Sequence, residues 1–488
     1  MARETAGPVS LVEGLMRRTI VFTVVTASLA LAGVLVPASG HAQVTAFEGA
    51  RIIVGDGSPA IEKGTIVVNG TTIQAVGANV QVPAGAQRVN LSGKTVMPMI
   101  LDTHIHGPAT HEQTIRDLRR RVYWGVGAAM SMGTDTTDVG FKVREETRNT
   151  PGTARLLTAG RGVTGIEKGR EPAAYWVGTV AEARKVVQEN AAKRPDIIKI
   201  WVDDRDNTVP KLTPELYGAI IEEAHKQKIR VTAHIFNLED AKGLLKANVD
   251  AFAHSVRDRD VDQEFLSMMK QRSNVAVNPN LPSPGKVWDI AWLQGKIPAD
   301  EFAGVQKANV DAFAHSVRDR DVDQEFLNMM KQRPNVTVNP NLPSPGKTWD
   351  IAWLQGKIPA DEYAGVQKAN VDNPKQAEAF GIQARNLKRL SDQGVRIVLG
   401  TDGNIPWAPH QEMEAMALSG MTPMQVIVAS TGRAAEFLRF TDTGTLQAGK
   451  NADMIVLDAN PLENITNTRR INAVYYRGQM VNRSAYPN

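Results

Sequence analysis

From residue 96 to residue 400 short apolar runs alternate with longer polar stretches, and this alternation restricts the fold more than any other feature of the chain. Residues 96–101, 128–132, 156–159, 197–202, 231–236 and 396–400 are apolar almost throughout, which suits strands covered on both faces. Intervening segments such as 181–192 and 213–226 carry the polar, periodic pattern of helices lying on such a sheet. Strand then helix, repeated over about three hundred residues, demands a parallel α/β architecture, and the size predicts a (β/α)8 TIM-like barrel. A doubly wound sheet is the alternative; no glycine-rich phosphate-binding turn follows the first run to support it.

Both chain ends read differently. Residues 50–54, 64–68 and 72–76, and again 452–457 and 473–476, are short strand-like runs separated by Gly, Asn and Pro turns. The expectation is a small β-sandwich assembled from residues 43–96 and 441–488, bracketing a barrel at 97–440. Ahead of it, Arg17 and Arg18 precede an apolar stretch at 19–37 and the small-residue run Ser39, Gly40, His41, Ala42. This reads as a removed export signal, cleaved before Gln43, with Met16 as an alternative start, and places the mature chain in the periplasm or outside the cell. A membrane anchor is the competing reading, but the run is short and ends in Pro37.

Composition narrows the chemistry. The net charge is only +4 over 488 residues, with Lys and Arg interspersed among Asp and Glu, which argues against a nucleic-acid partner. There is no cysteine, so disulfides, thiolate ligands and cysteine nucleophiles are excluded. Any metal must sit on His, carboxylate or modified Lys.

Residues 246–306 recur as residues 307–367, a period of 61, differing only at Ser267/Asn328, Ser273/Pro334, Ala276/Thr337, Val287/Thr348 and Phe302/Tyr363. Solenoid repeats diverge further and need about three units. The pattern therefore reads as a recent tandem duplication or an error in assembling the sequence. Each copy contains two strand-helix units, so an eight-stranded barrel accepts one and the other is expected to be extruded.

His104-Ile105-His106 follows the first apolar run, and alternate residues of a strand share a face, so both imidazoles can meet one metal. Then come Lys199 in "IIKIWV", His234 in "VTAHIF", His254 in "AFAHS" with its copy His315, and Asp402 in "VLGTDG". Each stands near the C-terminal end of a predicted strand, the face on which barrel active sites are built. A buried Lys in an apolar strand is costly unless paired or modified. For Asp402 the alternative is a helix N-cap after the last strand.

This order, introduced by "GKTVMPMILDTHIH" and closed by "GVRIVLGTDG" and "GTLQAGKNADMIVLD", resembles the amidohydrolase superfamily over nearly the whole mature chain, nearest its imidazolonepropionase-like members and, among those, the exported binuclear carboxamidases and dipeptidases, including ochratoxin-type amidases. The resemblance implies that His104, His106 and Asp402 bind one metal, that His234 with His254 or His315 binds a second, and that a carboxylated Lys199 bridges them. It implies hydrolysis of a carboxamide or peptide-like bond by metal-bound hydroxide, with Asp402 also passing the proton to the leaving amine. Two divalent ions are expected, zinc by default because imidazole and carboxylate suit it. Using His254 keeps the 20-residue step from His234, whereas using His315 keeps the run into Asp402. A hybrid, with the sixth strand from one copy and the seventh from the other, is a third possibility.

Substrate contacts are less defined. Trp288 and Trp292 (copies Trp349 and Trp353) and Trp407 lie in segments expected over the site, where they either face an apolar substrate or pack loops onto the barrel. Arg257 and Arg259 (copies Arg318 and Arg320) stand where a substrate carboxylate would be held. His111 and His410 are expected in loops beyond the first and eighth strands, lining the pocket or supporting it, while His225 reads as solvent-facing. The expected partner is a small-molecule amide or peptide, of the dipeptide or N-acyl amino acid type. A homo-oligomer is compatible with the sequence. The rival activities are a lactonase or phosphotriesterase on the same residues, or a chain disabled by its duplication.

Overall fold

The computed structural model describes residues 43–167, 174–204, 208–253, 348–372 and 396–487, with scattered positions between 264 and 392, including 276–277 and 337–338. The expected export segment at 1–42 and the candidate residues His254, His315, Arg257 and Trp288 lie outside the described residues.

The N-terminal part forms β1 (Val44–Ile52), β2 (Ile61–Asn69), β3 (Thr72–Gly77), β4 (Gln87–Asn90) and β5 (Thr95–Pro98). The main body follows as β6 (Ile100–Ile105), α1 (His111–Tyr123), β7 (Val126–Ser131), α2 (Val139–Thr147), β8 (Arg155–Thr158), β9 (Val163–Thr164), β10 (Tyr175–Trp176), α3 (Val180–Ala191), β11 (Ile198–Val202), α4 (Pro214–Lys226), β12 (Val231–Ile235), α5 (Leu238–Lys246), β13 (Ala251–Phe252), β14 (Ala276–Val277), β15 (Thr337–Val338), α6 (Ala360–Ala369) and β16 (Arg396–Ile397). After α7 (Ala408–Leu418), α8 (Pro423–Ser430) and α9 (Gly432–Leu438), the chain ends in β17 (Met454–Leu457), β18 (Ile471–Tyr476) and β19 (Gln479–Met480).

Both chain ends share one eight-stranded sheet in the order β19-β18-β17-β5-β1-β2-β3, with β4 beside β1. Phe47, Ile52, Ile66, Ile73, Val96, Met454 and Val456 form its core, drawn from both ends of the chain. The main body is parallel. β6-β7-β8 form one sheet, β10-β9-β11-β12-β13-β14 a second, and β15 pairs with β16. The Asp196 amide donates to the Thr158 carbonyl at 2.9 Å, tying the first sheet to the second, and the Thr103 amide donates to the Leu399 carbonyl at 3.1 Å, tying β6 to the segment after β16. β14 lies beside β15, at the meeting of two separate sheets.

Local chemistry explains the helices that separate them. α3 opens with a capping box in which the Thr179 hydroxyl accepts from the Glu182 amide while Glu182 accepts from the Thr179 amide. α4 and α8 open with Thr213-Pro214 and Thr422-Pro423, a capping hydroxyl followed by a proline whose missing N–H costs nothing in the first turn. β7, β8 and β11 are buried at every position, as strands covered on both faces must be.

Both copies of the duplicated segment contribute described residues. β13 and β14 come from the first copy, whereas β15 and the segment from Thr348 to Gln367 come from the second. β14 and β15 occupy the same position in the two copies. β13 pairs with the first of these nearly identical stretches and β16 with the second. In the second copy, Ile351, Leu354 and Ile358 pack with Tyr123, Trp124 and Trp407, and the Asn370 side chain clamps Trp349 through bonds of 2.8 and 2.9 Å to its main chain.

Candidate metal centre

β6 carries the first half of the centre. A register shift between Asp102 and Ile105 sets two residues of β6 against one of β7, a bulge that turns successive side chains to unequal faces. His104 is buried completely, and His106, just past the strand end, donates its amide to the Gly403 carbonyl at 3.3 Å. The second half comes from the segment after β16. The Thr401 and Asp402 amides both donate to the His104 carbonyl, at 3.2 and 2.9 Å. Asp402 is held at φ 52°, a left-handed conformation that Asp tolerates better than most residues but that still stores strain.

The result is a convergence of ligand atoms. His104 Nε2 and His106 Nε2 stand 3.1 and 2.9 Å from the same oxygen of Asp402, Oδ1. These three residues each place one donor atom within 4.8 Å of the others. Burial pushes the His104 imidazole down to about 4 against the pull of Asp402, with the Lys199 charge adding to the depression, so it is neutral near pH 7. Burial alone would raise Asp402, yet the adjoining imidazoles of His104 and His106 outweigh it and hold the carboxyl far below its ordinary range. Neutral imidazole and ionised carboxylate are the forms that bind metal. The donor set fits a divalent cation of the zinc or manganese kind. Asp402 is not a helix cap, since α7 begins at Ala408.

Lys199 lies in β11 with 1% of its surface exposed. Its ammonium stands 5.5 Å from the centre of the Trp201 ring. The space for its stem is made by Gly133, at φ +90°, where a Cβ would fall 2.7 Å from Lys199 Cγ and 2.8 Å from Lys199 Cβ. His234 stands on the neighbouring strand, in register with Trp201 two residues beyond Lys199, so strand alternation puts Lys199, Trp201 and His234 on one face. Its Nε2 lies 2.9 Å from Asp203 Oδ2. The strand that leads to His254, β13, is paired with β12 through Thr232 and Ala233, whereas its counterpart in the second copy lies outside the described residues.

Several supporting residues escaped the sequence reading. Thr134 Oγ1 lies 3.2 Å from His106 Nδ1, and Asp203 meets His234; Asp203 directly follows β11 and Thr134 stands three residues past β7, close to the signal that identified the ligands. Asp102 accepts from the His104 and Thr401 amides at 3.3 and 3.1 Å and from the Thr401 hydroxyl and Arg121 at 2.7 and 3.2 Å.

His410 corrects an expectation. It lies in α7, not in a loop, and is completely buried, with Nε2 2.9 Å from the Trp124 carbonyl and Nδ1 3.1 Å from the Thr468 hydroxyl. Both nitrogens are occupied by protein, so it anchors α7 instead of lining a pocket. Trp353 and Trp407 pack edge-on to Trp124 in the same cluster, at 5.3 and 6.3 Å between ring centres. His111 begins α1 and pairs with Glu146 at 2.7 Å, and His225 pairs with Asp250 at 2.8 Å.

Residues 95–481 match the Amidohydrolase family. An imidazolonepropionase of Shouchella clausii is 33% identical over 142 residues, which covers 26% of this chain and 32% of its own length. The ochratoxinase of Aspergillus niger is 23% identical over 490 residues, covering 88% of this chain and 84% of its own. Among solved structures, a putative prolidase from Bifidobacterium longum superposes with a TM-score of 0.62 at 21% identity, covering 91% of this chain and 96% of its own. That likeness implies a TIM-barrel-like α/β fold.

Proposed function

We propose, from the premise that the chain belongs to the amidohydrolase family and is a hydrolase of carbon–nitrogen bonds, that it cleaves a carboxamide or peptide-like bond of a small molecule with the help of two divalent metal ions. The observation that carries this reading is the meeting of His104, His106 and Asp402 beside a buried lysine on a strand of the same parallel set. His104, His106 and Asp402 would hold the first ion. His234 and His254 would hold the second, His254 being favoured over His315 because β13 pairs with β12. A carboxylated Lys199 would serve both, which turns an expensive buried ammonium into an anionic oxygen ligand. When bound, the ions supply Lewis acidity, lowering the pKa of a water and polarising the scissile carbonyl.

The chain's own residues do the rest. Asp402, kept ionised by its two imidazoles, would accept a proton from the attacking water and deliver it to the departing amine nitrogen. Thr134 fixes the His106 ring by bonding its second nitrogen, and Asp203 can do the same for His234. We read the ring of parallel strands as a closed (β/α)8 barrel, with the terminal sheet curled into the small second domain. Residues 1–42 would be removed on export, so that the periplasmic or secreted chain begins at Gln43; N-terminal sequencing of the exported protein checks this.

The test of the activity is a panel of N-acyl amino acids, dipeptides, lactones and phosphotriesters. Release of amine from the amides, abolished in Lys199→Ala together with part of the bound metal, is the expected result. Full amidase activity in Lys199→Ala would rule out the two-metal arrangement, and turnover confined to lactones or phosphotriesters would move the activity to another bond.

A further inference from the structure

Beyond the C-terminal ends of β7 and β8 lies a cleft of about 340 Å³ whose lining includes Asp135, Asp138, Phe141, Arg161, Tyr175 and Lys193. Its formal charges balance, Asp135 and Asp138 against Arg161 and Lys193, but the contacts leave Arg161 without either carboxylate. Lys193 is paired with Asp138. The Asp135 carboxyl is taken up by the hydroxyls of Ser131 and Thr158, and burial raises its pKa. The Arg161 guanidinium lies 4.5 Å from the centre of the Tyr175 ring and donates one bond, of 2.8 Å, to the Ala174 carbonyl. It has no carboxylate partner among the described residues, and its Nε is buried with no hydrogen-bond partner.

A half-buried guanidinium stacked on an aromatic ring and lacking a counter-ion is built to receive one. Its position relative to the metal centre is fixed by main chain, since Arg161 is bridged to Thr134, whose hydroxyl meets His106. We propose that this cleft is the subsite for the carboxylate of the substrate's leaving amino acid, with Arg161 as the residue that recognises it and Tyr175 holding the guanidinium plane. The inference rests on the amide-hydrolase reading above and specifies its substrate class as N-acyl amino acids or dipeptides with a free carboxylate. Lys193, committed to Asp138, shapes the rim and does not take part directly.

Two substrates with the same scissile benzamide separate the possibilities, N-benzoylglycine and N-propylbenzamide, the second lacking the carboxylate. Arg161→Met is expected to lower kcat/KM for N-benzoylglycine about 10- to 100-fold, mostly through KM, and to leave N-propylbenzamide unchanged. Arg161→Lys should recover part of the loss. An equal effect on both substrates, or none on either, overturns the assignment. If the wild-type enzyme cleaves neither amide, the functional reading fails by itself, and calorimetric titration of N-benzoylglycine still decides the subsite. Binding lost in Arg161→Met supports it; the same affinity in both proteins, or no binding by wild type, refutes it.

Discussion

Asp102 holds the candidate metal centre together from behind. One carboxylate oxygen accepts from the amides of His104 and Thr401, so a single group positions both strand segments that supply ligands, while the other takes Thr401 Oγ1 and Arg121. Such supporting partners typically contribute 10- to 100-fold in metal affinity. Asp102→Asn should therefore bind metal roughly that much more weakly with the fold intact, which competition with a chelator measures; unchanged affinity would remove Asp102 from the account. Gly133 acts by its absence of side chain. Gly133→Ala combines a left-handed backbone with a Cβ 2.7 Å from Lys199 Cγ, and is expected to cost about 1–3 kcal/mol in chemical denaturation and to displace Lys199. His104, His106 and Asp402 were legible in the sequence because polar residues at the ends of apolar strands have few other uses. Asp102 was not, because the bulge between Asp102 and Ile105 breaks the alternation that the reading relied on.

At the level of elements, α7 shows what a loop reading misses. Its start at Ala408 has Pro409 in the first turn and no side-chain cap, so the usual signal is weak. The helix is held instead by His410, which joins it to the Trp124 carbonyl and to Thr468. Burial pushes the His410 imidazole down to about 3. A depressed pKa means that the neutral ring stabilises the fold above the unfolded value of about 6.5, and that this contribution is lost as pH falls from there towards the folded value. Stability should thus drop by a few kcal/mol between roughly pH 6.5 and 3, and His410→Gln should flatten that part of the profile. An identical acid profile in the variant would contradict the assignment. The buried strands and the helices α3 and α4 were plain in the sequence, since apolar runs and Thr-initiated turns are local signals. The pairing of β14 with β13 and of β15 with β16 was not, since two nearly identical stretches carry little local information about which edge each will take.

For the whole molecule the duplication sets the question. The first copy supplies β13 and β14 and the second supplies β15 and the Trp349 segment, so removal of residues 287–347, one full period, leaves every described element except β15 in sequence. β14 is then free to bridge β13 and β16. The shortened chain should fold with a melting temperature no lower than the parent, because closing a shorter loop costs less entropy. Failure to fold would show that both copies are needed. The central claim, a two-metal hydrolase built on His104, His106, Lys199, His234, His254 and Asp402, is tested most directly by elemental analysis of the purified protein. The account predicts about two divalent ions per chain, falling to about one or fewer in Lys199→Ala. One ion per chain, unaltered by Lys199→Ala, would contradict it.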